Sequence, residues 1–506
     1  MSQKKTAITP TRQENFADWY QEVIKAADLA EHSVTRGCMI IKPLGYALWE
    51  NIQKILDQMI KDTGHENVYF PLLIPLSFLQ KEAEHVEGFA KECAVVTHYR
   101  LESDGKGGLI PSPEAKLAEP YVIRPTSETI IGDAMASWIH SYKDLPVKIN
   151  QWANVMRWEM RTRLFLRTSE FLWQEGHTAH ASQEEAAEET LDMLDIYEKL
   201  ATEYLAIPVI KGEKSPAERF PGAVNTYCIE AMMQDGKALQ AGTSHFLGQH
   251  FSKAHNITFT DKEQQNQLAW TTSWGVSTRL IGALILTHSD DDGLVIPPRI
   301  APTHVILIPV ILNDADREKI MTYCDELTHD LKRISYHEGS IRVSIDTKDY
   351  RAGVKFWTAV KKGVPVRIEV GCREIDNNAL SVSRRDKPAQ EKQLLSRDTI
   401  LSEISSTLDN IQQTLLERAT KWRDEKTQEI NSLTALETFF EKENNGFAIC
   451  HFDIESEHEP IVEEKFKAMK LSVRCIPWNQ QDTAISKPCI FSGKPINTRV
   501  IIARAY

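Results

Sequence analysis

Residues 154–177 read NVMRWEMRTRLFLRTSEFLWQEGH, and this stretch decides how the chain folds. Arg157 stands two residues before Glu159, further arginines follow, and a β-type run ends the stretch. The pattern predicts a hairpin in which Arg157 and Glu159 point to one face of a strand, with the arginines in the connecting loop. Such a pair can bind a phosphate or a carboxylate. A solvated basic loop explains the same charges equally well, because charge runs usually lie at the surface.

A second stretch, RPTSET at 124–129, offers acceptors for a positive charge. In an extended chain Thr126 and Glu128 share a face, and Glu128 can accept hydrogen bonds from a substrate ammonium group. Ser127 or Thr126 can instead cap the helix that is predicted over 130–140. Taken alone, the stretch favours the helix cap.

Two further stretches combine small and polar residues, LQAGTSHFLGQ at 239–249 and WTTSWGVSTRLIG at 270–282. A tight turn also explains the first stretch. The second predicts a strand that runs into a helix with Arg279 near its start, and a surface arginine is the alternative there. The polar candidates in the two stretches are Gln240, Thr243, His245, Ser273, Ser277 and Arg279.

Together, the four stretches resemble the prolyl-tRNA synthetases, a family of class II aminoacyl-tRNA synthetases, in the type found in eukaryotes, archaea and some bacteria. The resemblance covers nearly the whole chain. The three class II motifs correspond to the helix from Leu44 with the strand ending in Pro71, to 157–175 and to 275–282. The resemblance implies an α+β fold. Its parts are a class II catalytic domain with a mainly antiparallel sheet flanked by helices, an α/β anticodon-binding domain, and a small α+β C-terminal domain.

The implied activity is ATP-dependent activation of L-proline to prolyl-adenylate, followed by transfer to the 3′ end of tRNA(Pro). A class II synthetase for threonine or serine is one alternative. A non-catalytic tRNA-binding paralogue is another, but such paralogues typically lose a substrate or ATP residue, and both Arg157 and Arg279 are present. The short segment before AGTSH does not accommodate the editing insertion that some family members carry.

The resemblance also assigns a proline site. Thr126 and Glu128 are expected to bind the ammonium group, and Arg157 the carboxylate side. A small pocket rejects longer amino acids, whereas one or two missing methylenes are worth only about 1–3 kcal/mol, so alanine is harder to exclude. The residues expected to shape the pocket are Trp173, His177, His245 and Ser273.

For ATP, the resemblance assigns Arg157 to the α-phosphate and Arg279 to the γ-phosphate, and these are the two expected catalytic residues. Cations there lower the barrier, because negative charge grows on the phosphoryl oxygens as the proline carboxylate attacks. Mg²⁺ is expected with the pyrophosphate. The other expected ATP contacts are Glu159 with the adenine, Arg167 and Thr168 with the triphosphate or adenosine, and Gln240, Thr243 and Ser277.

A proline-rich segment at 297–302 predicts a domain boundary, because it is rigid and extended. We therefore expect a catalytic domain over 1–300, an anticodon-binding domain over 301–390, and a helical linker with a C-terminal domain over 391–506. In the second domain, the residues that the resemblance places at the anticodon are Glu369, Arg384 and Arg385.

No metal other than magnesium is expected. His245, His250 and His255 are spaced in a way that suits neither one helix face nor a standard pair of ligands. Family members of this type often hold a structural zinc with two pairs of cysteines in the C-terminal domain. Cys450 and Cys489 each lack a cysteine at the paired spacing, so a tetrahedral thiolate site and a structural zinc are not expected.

Bulk composition indicates where the protein works. The sequence has no run of about 18 uncharged apolar residues, so no contact with a membrane is expected. Eight well-separated cysteines and an N-terminus without a secretory signal indicate a reducing compartment, the cytoplasm. The net charge of −12 neither supports nor excludes an RNA partner, and no DNA partner is expected. The resemblance implies a homodimer with Pro71 at its interface.

The periodicity of apolar residues predicts the main elements. Helices are expected over 16–32, 44–61 and 396–426. A strand interrupted by proline is expected over 68–74, and a turn-rich surface loop over 105–113.

Overall fold

A computed structural model describes residues 6–81, 92–441, 445–478 and 486–506. Within these ranges the largest sheet has eleven strands, which run antiparallel to their neighbours except at the two ends. This sheet confirms the expected α+β fold. In order across the sheet, the strands are Thr427–Ile430, Phe447–His451, Arg499–Ala503, Ser472–Pro477, Val209–Glu213, Asn225–Met232, Ala238–Gly248, Trp270–Ser277, Glu170–His180, Val147–Met156 and Glu66–Asn67.

The stretch 154–177 forms the predicted hairpin, whose strands are Val147–Met156 and Glu170–His180. One part of the prediction was wrong. The first strand ends one residue before Arg157, so Arg157 and Glu159 lie in the connecting loop rather than on a strand face. The backbone turns away from the sheet at this point, and the alternation of a strand no longer decides where the two side chains point.

A layer of helices covers one face of the sheet. Gln183–Lys199 begins after Ser182, whose hydroxyl accepts from the Glu185 amide at 3.2 Å as a helix cap. Trp274 lies in the same apolar core and is 2% exposed. Its ring fits against Gly176, where an added Cβ would lie 2.0 Å from the ring. A glycine is therefore required in the centre of the hairpin.

A second sheet forms an α/β domain between 304 and 395, as the sequence predicts. Val305–Pro309 is the second strand from one edge and pairs in parallel with the strands on both sides. Helices Arg317–Lys332 and Ala352–Lys361 connect these parallel strands. The strand order is Val343–Ile345, Val305–Pro309, Val366–Val370, Leu380–Arg384 and Gln393–Leu395.

The C-terminal strands continue the large sheet instead of forming a separate one. Ser472–Pro477 pairs antiparallel with Val209–Glu213 of the preceding part of the sheet. The two backbones approach closely at Gly212, where an added Cβ would lie 2.7 Å from the carbonyl oxygen of Ile476. The C-terminal strands are thereby joined to the rest of the large sheet by backbone hydrogen bonds.

Two long helices agree with the predictions from periodicity. The helix expected over 44–61 is Pro43–Lys61, and the one expected over 396–426 is Arg397–Glu425. Among the described residues, no helix combines the length and the apolar character needed to span a membrane. Apart from Phe16–Ala27, the other helices of four residues or more in the described ranges are Leu76–Lys81, Glu128–Trp138, Leu200–Tyr204, His250–His255, Arg279–His288, Cys372–Asp376, Leu433–Glu441, Ile454–His458 and Pro460–Met469.

Three element predictions were wrong. The helix expected over 16–32 is Phe16–Ala27, because Asp28 takes a left-handed conformation with φ 61° and ends it. Of the strand expected over 68–74, only the end is a strand, within Leu73–Pro75, and the preceding strand Glu66–Asn67 belongs to another sheet. Pro71 lies between the two and has no amide hydrogen to donate. The loop expected over 105–113 is partly a hairpin. The strands concerned are Glu66–Asn67 and Leu73–Pro75, and Leu101–Ser103 with Leu109–Pro111.

Candidate active site

Four residues on neighbouring strands form one row across the middle of the large sheet. Thr226 is paired with His245, and His245 with Ser273. Ser273 is paired in turn with His177. Side chains at paired positions face the same side of a sheet, and here they line a cavity of about 310 Å³. The other predicted site residues that line this inner cavity are Thr126, Glu128, Arg157, Trp173, Gln240, Thr243, Ser277 and Arg279.

A buried carboxylate and a histidine lie side by side in this cavity. The Nε2 of His177 donates to Glu175 at 3.2 Å, and the other oxygen of Glu175 accepts from Ser127 at 2.6 Å and Gln151 at 2.7 Å. Burial alone would raise the pKa of Glu175, but these donors, His177 foremost, outweigh burial and lower that pKa. Glu175 is therefore a carboxylate at neutral pH.

The neighbouring ionisable groups respond differently to burial. Burial raises the pKa of Glu128, whose carboxylate accepts from the hydroxyl of Thr126, and the charge of His177 only partly opposes this. For His177 itself, burial is outweighed by the bond to Glu175, and its pKa is raised. Burial lowers the pKa of His245 to about 3. The cavity thus contains one histidine that binds a proton readily and one that stays neutral.

Neither interpretation of RPTSET describes its conformation fully. The helix starts at Glu128, so the segment is not an extended strand, although Thr126 and Glu128 are brought together as expected. Ser127 occupies the N-cap position but makes no capping hydrogen bond. Its hydroxyl donates to Glu175 instead, because the site competes with the helix for the same group.

Arg157 lies at the mouth of the inner cavity. Its Nε donates to the carbonyl oxygen of Pro125 at 3.0 Å. Its guanidinium group lies over two aromatic rings, 5.7 Å from the centroid of Phe171 and 5.4 Å from that of Trp173. Such stacking fixes the plane of the guanidinium group and presents its edge to a ligand.

Arg279 is the first residue of the helix Arg279–His288, and its Nε donates to the carbonyl oxygen of Leu166 at 3.2 Å. Burial, followed by repulsion from Arg157 and Arg167, lowers its pKa to about 10. It is still protonated at neutral pH. Within the described ranges it forms no ion pair with a carboxylate, so the charge is available to an anionic ligand.

An outer cavity of about 540 Å³ adjoins the inner one. The two cavities share Arg157, Phe171, Ser277 and Arg279. The predicted residues found only in the outer cavity are Glu159, Arg167 and Thr168, and Arg167 pairs with Glu159 at 2.8 Å. Gln240 and Thr243, by contrast, line the inner cavity.

Four residues that line the inner cavity carry a buried polar atom with no partner in the described part of the chain. The atoms are the hydroxyl of Ser273, the Nε1 atoms of Trp173 and Trp274, and the Nε of Arg219. Buried polar groups are nearly always hydrogen-bonded, so atoms of this kind that face a cavity indicate a polar ligand. Three glutamates and three arginines also line the cavity, and this mixture fits a ligand that carries both charges. They are Glu128, Glu175, Glu218, Arg157, Arg219 and Arg279.

The sequence did not identify several residues of the inner cavity, among them Glu175, Phe171 and Phe220. Glu175 alternates with Trp173 and His177 on one strand, and this period of two could have identified it. Phe171 follows the same alternation. Phe220 carried no local signal, because it comes from the 214–224 loop and reaches the site only through the fold. Its ring lies 4.5 Å from that of His245.

Comparisons with known proteins agree with this geometry. Three family models match the chain in succession. The tRNA synthetase class II core domain (G, H, P, S and T) matches residues 112–288, the anticodon-binding domain matches 304–407, and the prolyl-tRNA synthetase C-terminal domain matches 436–506.

Curated relatives match over the full length. The chain is 56% identical to the proline–tRNA ligase of Bdellovibrio bacteriovorus, over 99% of both chains. It is 54% identical to that of Akkermansia muciniphila over 100% of both chains, and 54% identical to that of Rhodopirellula baltica over 99% of this chain and 98% of the relative. The chain belongs to the proline–tRNA ligase family. The family predicted from the four sequence stretches is thereby confirmed.

In the anticodon-binding domain of this ligase-family chain, one of the three residues predicted to contact the anticodon has a structural role instead. Arg385 is 3% exposed, and its guanidinium group pairs with Asp290 at 2.5 Å. It connects the second domain to the catalytic one, so we do not retain it as a contact to RNA. The carboxylate of Glu369 forms an ion pair with Lys392, and the guanidinium group of Arg384 forms one with Asp386 at 2.7 Å.

The C-terminal domain of the ligase-family chain brings two cysteines together. Cys450 has no close partner in sequence, but in the fold it lies near Cys489. Burial first, and then the charge of Cys489, raises the pKa of Cys450 to about 12. No group of three or more ligand-type side chains that could hold a metal occurs in the described ranges. The expected absence of a structural zinc stays a prediction.

Proposed function

We propose that this chain activates L-proline with ATP and transfers the prolyl group to the 3′ end of tRNA(Pro). The observation that carries the proposal is the junction of the two cavities at Arg157 and Arg279. On one side lies a small cavity with buried carboxylates, and on the other a larger one with a basic rim. This arrangement suits an amino acid and a nucleotide that react where they meet. The family supports the choice of proline.

On the amino-acid side, Glu128 and Thr126 bind the secondary ammonium group. The carboxylate of Glu128 is buried, so a charged hydrogen bond there is stronger than in water. Neutral His245 and the hydroxyl of Ser273 complete the wall of the pocket. The rigid row of residues on paired strands leaves space for a compact ring and excludes longer side chains. Alanine fits in the same space, so the pocket excludes alanine less strongly than it excludes longer amino acids.

Activation requires no nucleophile from the protein. An oxygen of the proline carboxylate forms a bond to the α-phosphorus of ATP, and the bond to pyrophosphate breaks. Arg157 lies between the cavities and stabilises the charge that grows on the α-phosphoryl oxygens, while Arg279 binds the γ-phosphate. Positioning the two substrates supplies the rest of the acceleration. A terminal hydroxyl of tRNA then attacks the prolyl carbonyl, and AMP leaves.

The outer cavity suits the nucleotide. We assign Glu159 to the adenine, Arg167 and Thr168 to the triphosphate or adenosine, and Gln240, Thr243 and Ser277 to the part that faces the proline. Mg²⁺ prefers phosphate oxygens with one or two further oxygen ligands, and the amide of Gln240 and the hydroxyl of Ser277 offer such atoms. Bound Mg²⁺ would neutralise charge on the pyrophosphate. Glu369 and Arg384 are proposed to contact the anticodon.

We also propose domain limits, an assembly and a compartment. The domains are 1–300, 301–390 and 391–506. A homodimer through the first class II motif is supported by exposed apolar side chains there: Tyr69 is 72% exposed and Leu73 38%. A cytoplasmic location is supported by the eight cysteines, which are well separated in the sequence.

Amino-acid-dependent exchange between ATP and pyrophosphate tests the proposed function. The purified chain is assayed with proline, threonine, serine and alanine in parallel, and then with tRNA(Pro) for charging. We expect strong exchange with proline and weaker exchange with alanine. Exchange with threonine or serine alone would reassign the substrate. Exchange with none of the four would support the non-catalytic alternative.

A further inference from the structure

The 214–224 loop covers the amino-acid end of the inner cavity. It connects the strands Val209–Glu213 and Asn225–Met232, and four of its residues line the cavity. Phe220 contributes the ring next to His245, and its amide donates to Thr226 at 3.0 Å. The lining residues from the loop are Glu218, Arg219, Phe220 and Pro221.

The loop begins at a buried ion cluster that the C-terminal domain completes. The Nζ of Lys214 donates to Glu230 at 2.7 Å and to the backbone carbonyl of Arg474 at 2.7 Å. Arg474 also donates from NH2 to both oxygens of Glu230, at 3.0 and 3.2 Å. The exposed fractions of the side chains of Lys214, Glu230 and Arg474 are 1%, 0% and 9%.

The charges in this cluster depend on one another. Burial alone would raise the pKa of Glu230, but Arg474 and Lys214 outweigh it and lower that pKa. If the guanidinium group of Arg474 is removed, Lys214 is the cation that remains beside the fully buried carboxylate of Glu230 in the described part of the chain. The position of Lys214 fixes the start of the loop.

A second contact from the C-terminal domain reaches the loop one residue later. The short helix Ile454–His458 packs against Pro216–Glu218. Its Glu457 is 7% exposed, and its carboxyl group faces Ser215 at the base of the loop without a hydrogen bond between the two side chains. Two independent contacts from outside the catalytic domain therefore hold the base of the loop, while the tip of the loop faces the cavity.

We infer that Arg474 and Glu457 of the C-terminal domain are positioning residues, which set the affinity for the amino acid through the 214–224 loop. The inference rests on the proposed function for the identity of the amino acid. Neither residue touches the cavity. Both act on the end of the loop opposite Phe220 and Pro221, so their effect is on the amino-acid pocket rather than on the nucleotide cavity.

Exchange kinetics of Arg474→Met test the inference. We expect the KM for proline to rise at least tenfold, with the KM for ATP within twofold of the unsubstituted protein. Arg474→Lys keeps a cation beside Glu230. The rise in the logarithm of its KM for proline should therefore be less than half of the rise in Arg474→Met. Arg499→Met serves as the matched control, because Arg499 pairs with Glu429 in the same domain but away from the loop.

Two results would overturn the inference. One is an unchanged KM for proline in folded Arg474→Met, and the other is an equal rise in the KM values for proline and ATP. If Arg474→Met does not fold, Glu457→Ala decides, because it removes the other side chain that we infer to position the loop. A rise of about threefold in the KM for proline supports the inference, and no rise refutes it.

Hydrogen exchange separates this inference from the proposed function. Amides of the 214–224 loop should exchange at least tenfold faster in Arg474→Met than in the unsubstituted chain and in Arg499→Met, without any substrate. If the unsubstituted chain does not activate proline but the loop still loosens, the proposed function fails and the positioning role stands. If the loop exchange is unchanged, the positioning role fails whatever amino acid is activated.

Discussion

Glu175 and His177 lie two residues apart on one strand, and a hydrogen bond of 3.2 Å joins their side chains inside the inner cavity. The strand alternation places both on the face that also carries Trp173. Because Glu175 accepts three hydrogen bonds in a buried place, it is a fixed negative charge, and it determines how His177 titrates. The proposed ammonium site at Glu128 lies within the electrostatic range of both.

Glu175→Gln should lower the pKa of His177. The amide keeps the shape of the side chain but removes the charge that favours the protonated imidazole. The histidine then stays neutral at pH values where it was protonated before. Titration of the His177 ring by NMR measures this shift directly. The control must not add a charge to the cavity, and Gln151→Glu is therefore unsuitable. Glu213→Gln, outside the cavity, should leave the titration unchanged; a similar shift there would show a general effect of charge.

Proline activation should weaken on the acid side at a pH set by Glu128. Burial raises its pKa above the ordinary value of 4.5, and only the ionised form binds an ammonium group well. As the pH falls through this raised pKa, kcat/KM for proline should fall. Glu128→Gln should remove this acid limb and raise the KM about 10- to 100-fold, as expected for a hydrogen bond to a charged group worth about 1.5–3 kcal/mol. An acid limb that persists in Glu128→Gln would assign it to another group.

The two arginines should be separable by kinetics. Arg157→Ala should reduce exchange by about 10²–10³-fold or more, because a donor to a developing charge contributes about 2.7–4 kcal/mol. Arg279→Met should mainly raise the KM for ATP, since its proposed contact is the γ-phosphate. Thermal unfolding provides the control. A large loss of stability in Arg157→Ala would instead assign it a structural role, because its Nε holds the carbonyl of Pro125.

The sequence was sufficient to predict site residues whose placement depends only on their neighbours in the chain. The alternation around His177 and the start of the helix at Arg279 follow from local periodicity, and the structure places both side chains at the cavity. The ends of strands were harder to predict. Arg157 and Glu159 were expected on a strand, but a strand end depends on where the partner strand stops pairing, and local pattern does not contain that information.

Contacts between distant segments could not be predicted from the sequence. Arg385 reads as a basic residue in a turn, yet it is buried against Asp290 of another domain. Phe220 reads as a loop residue, yet its ring covers His245. Arg474 lies 244 residues from Glu230 in the chain, and no periodicity relates two such positions. These contacts arise because the C-terminal strands extend the catalytic sheet.

The free energy of unfolding should fall as the pH drops from about 6.5 to 4. Burial lowers the pKa of His180 and His288 to about 4, and those of His245 and His304 to about 3. In the unfolded chain each titrates near 6.5, so the unfolded state binds more protons over this range and gains stability as the pH falls. Each such histidine adds a slope of about 1.4 kcal/mol per pH unit. Urea unfolding at a series of pH values measures the total slope of the unfolding free energy against pH. His288→Gln should reduce this slope by the contribution of one histidine, because the His288 ring is neutral in the folded protein and donates to the carbonyl of Leu205 at 2.8 Å. A slope that stays the same in His288→Gln would mean that His288 is already protonated in the folded protein, and its assignment as a neutral buried donor would be wrong.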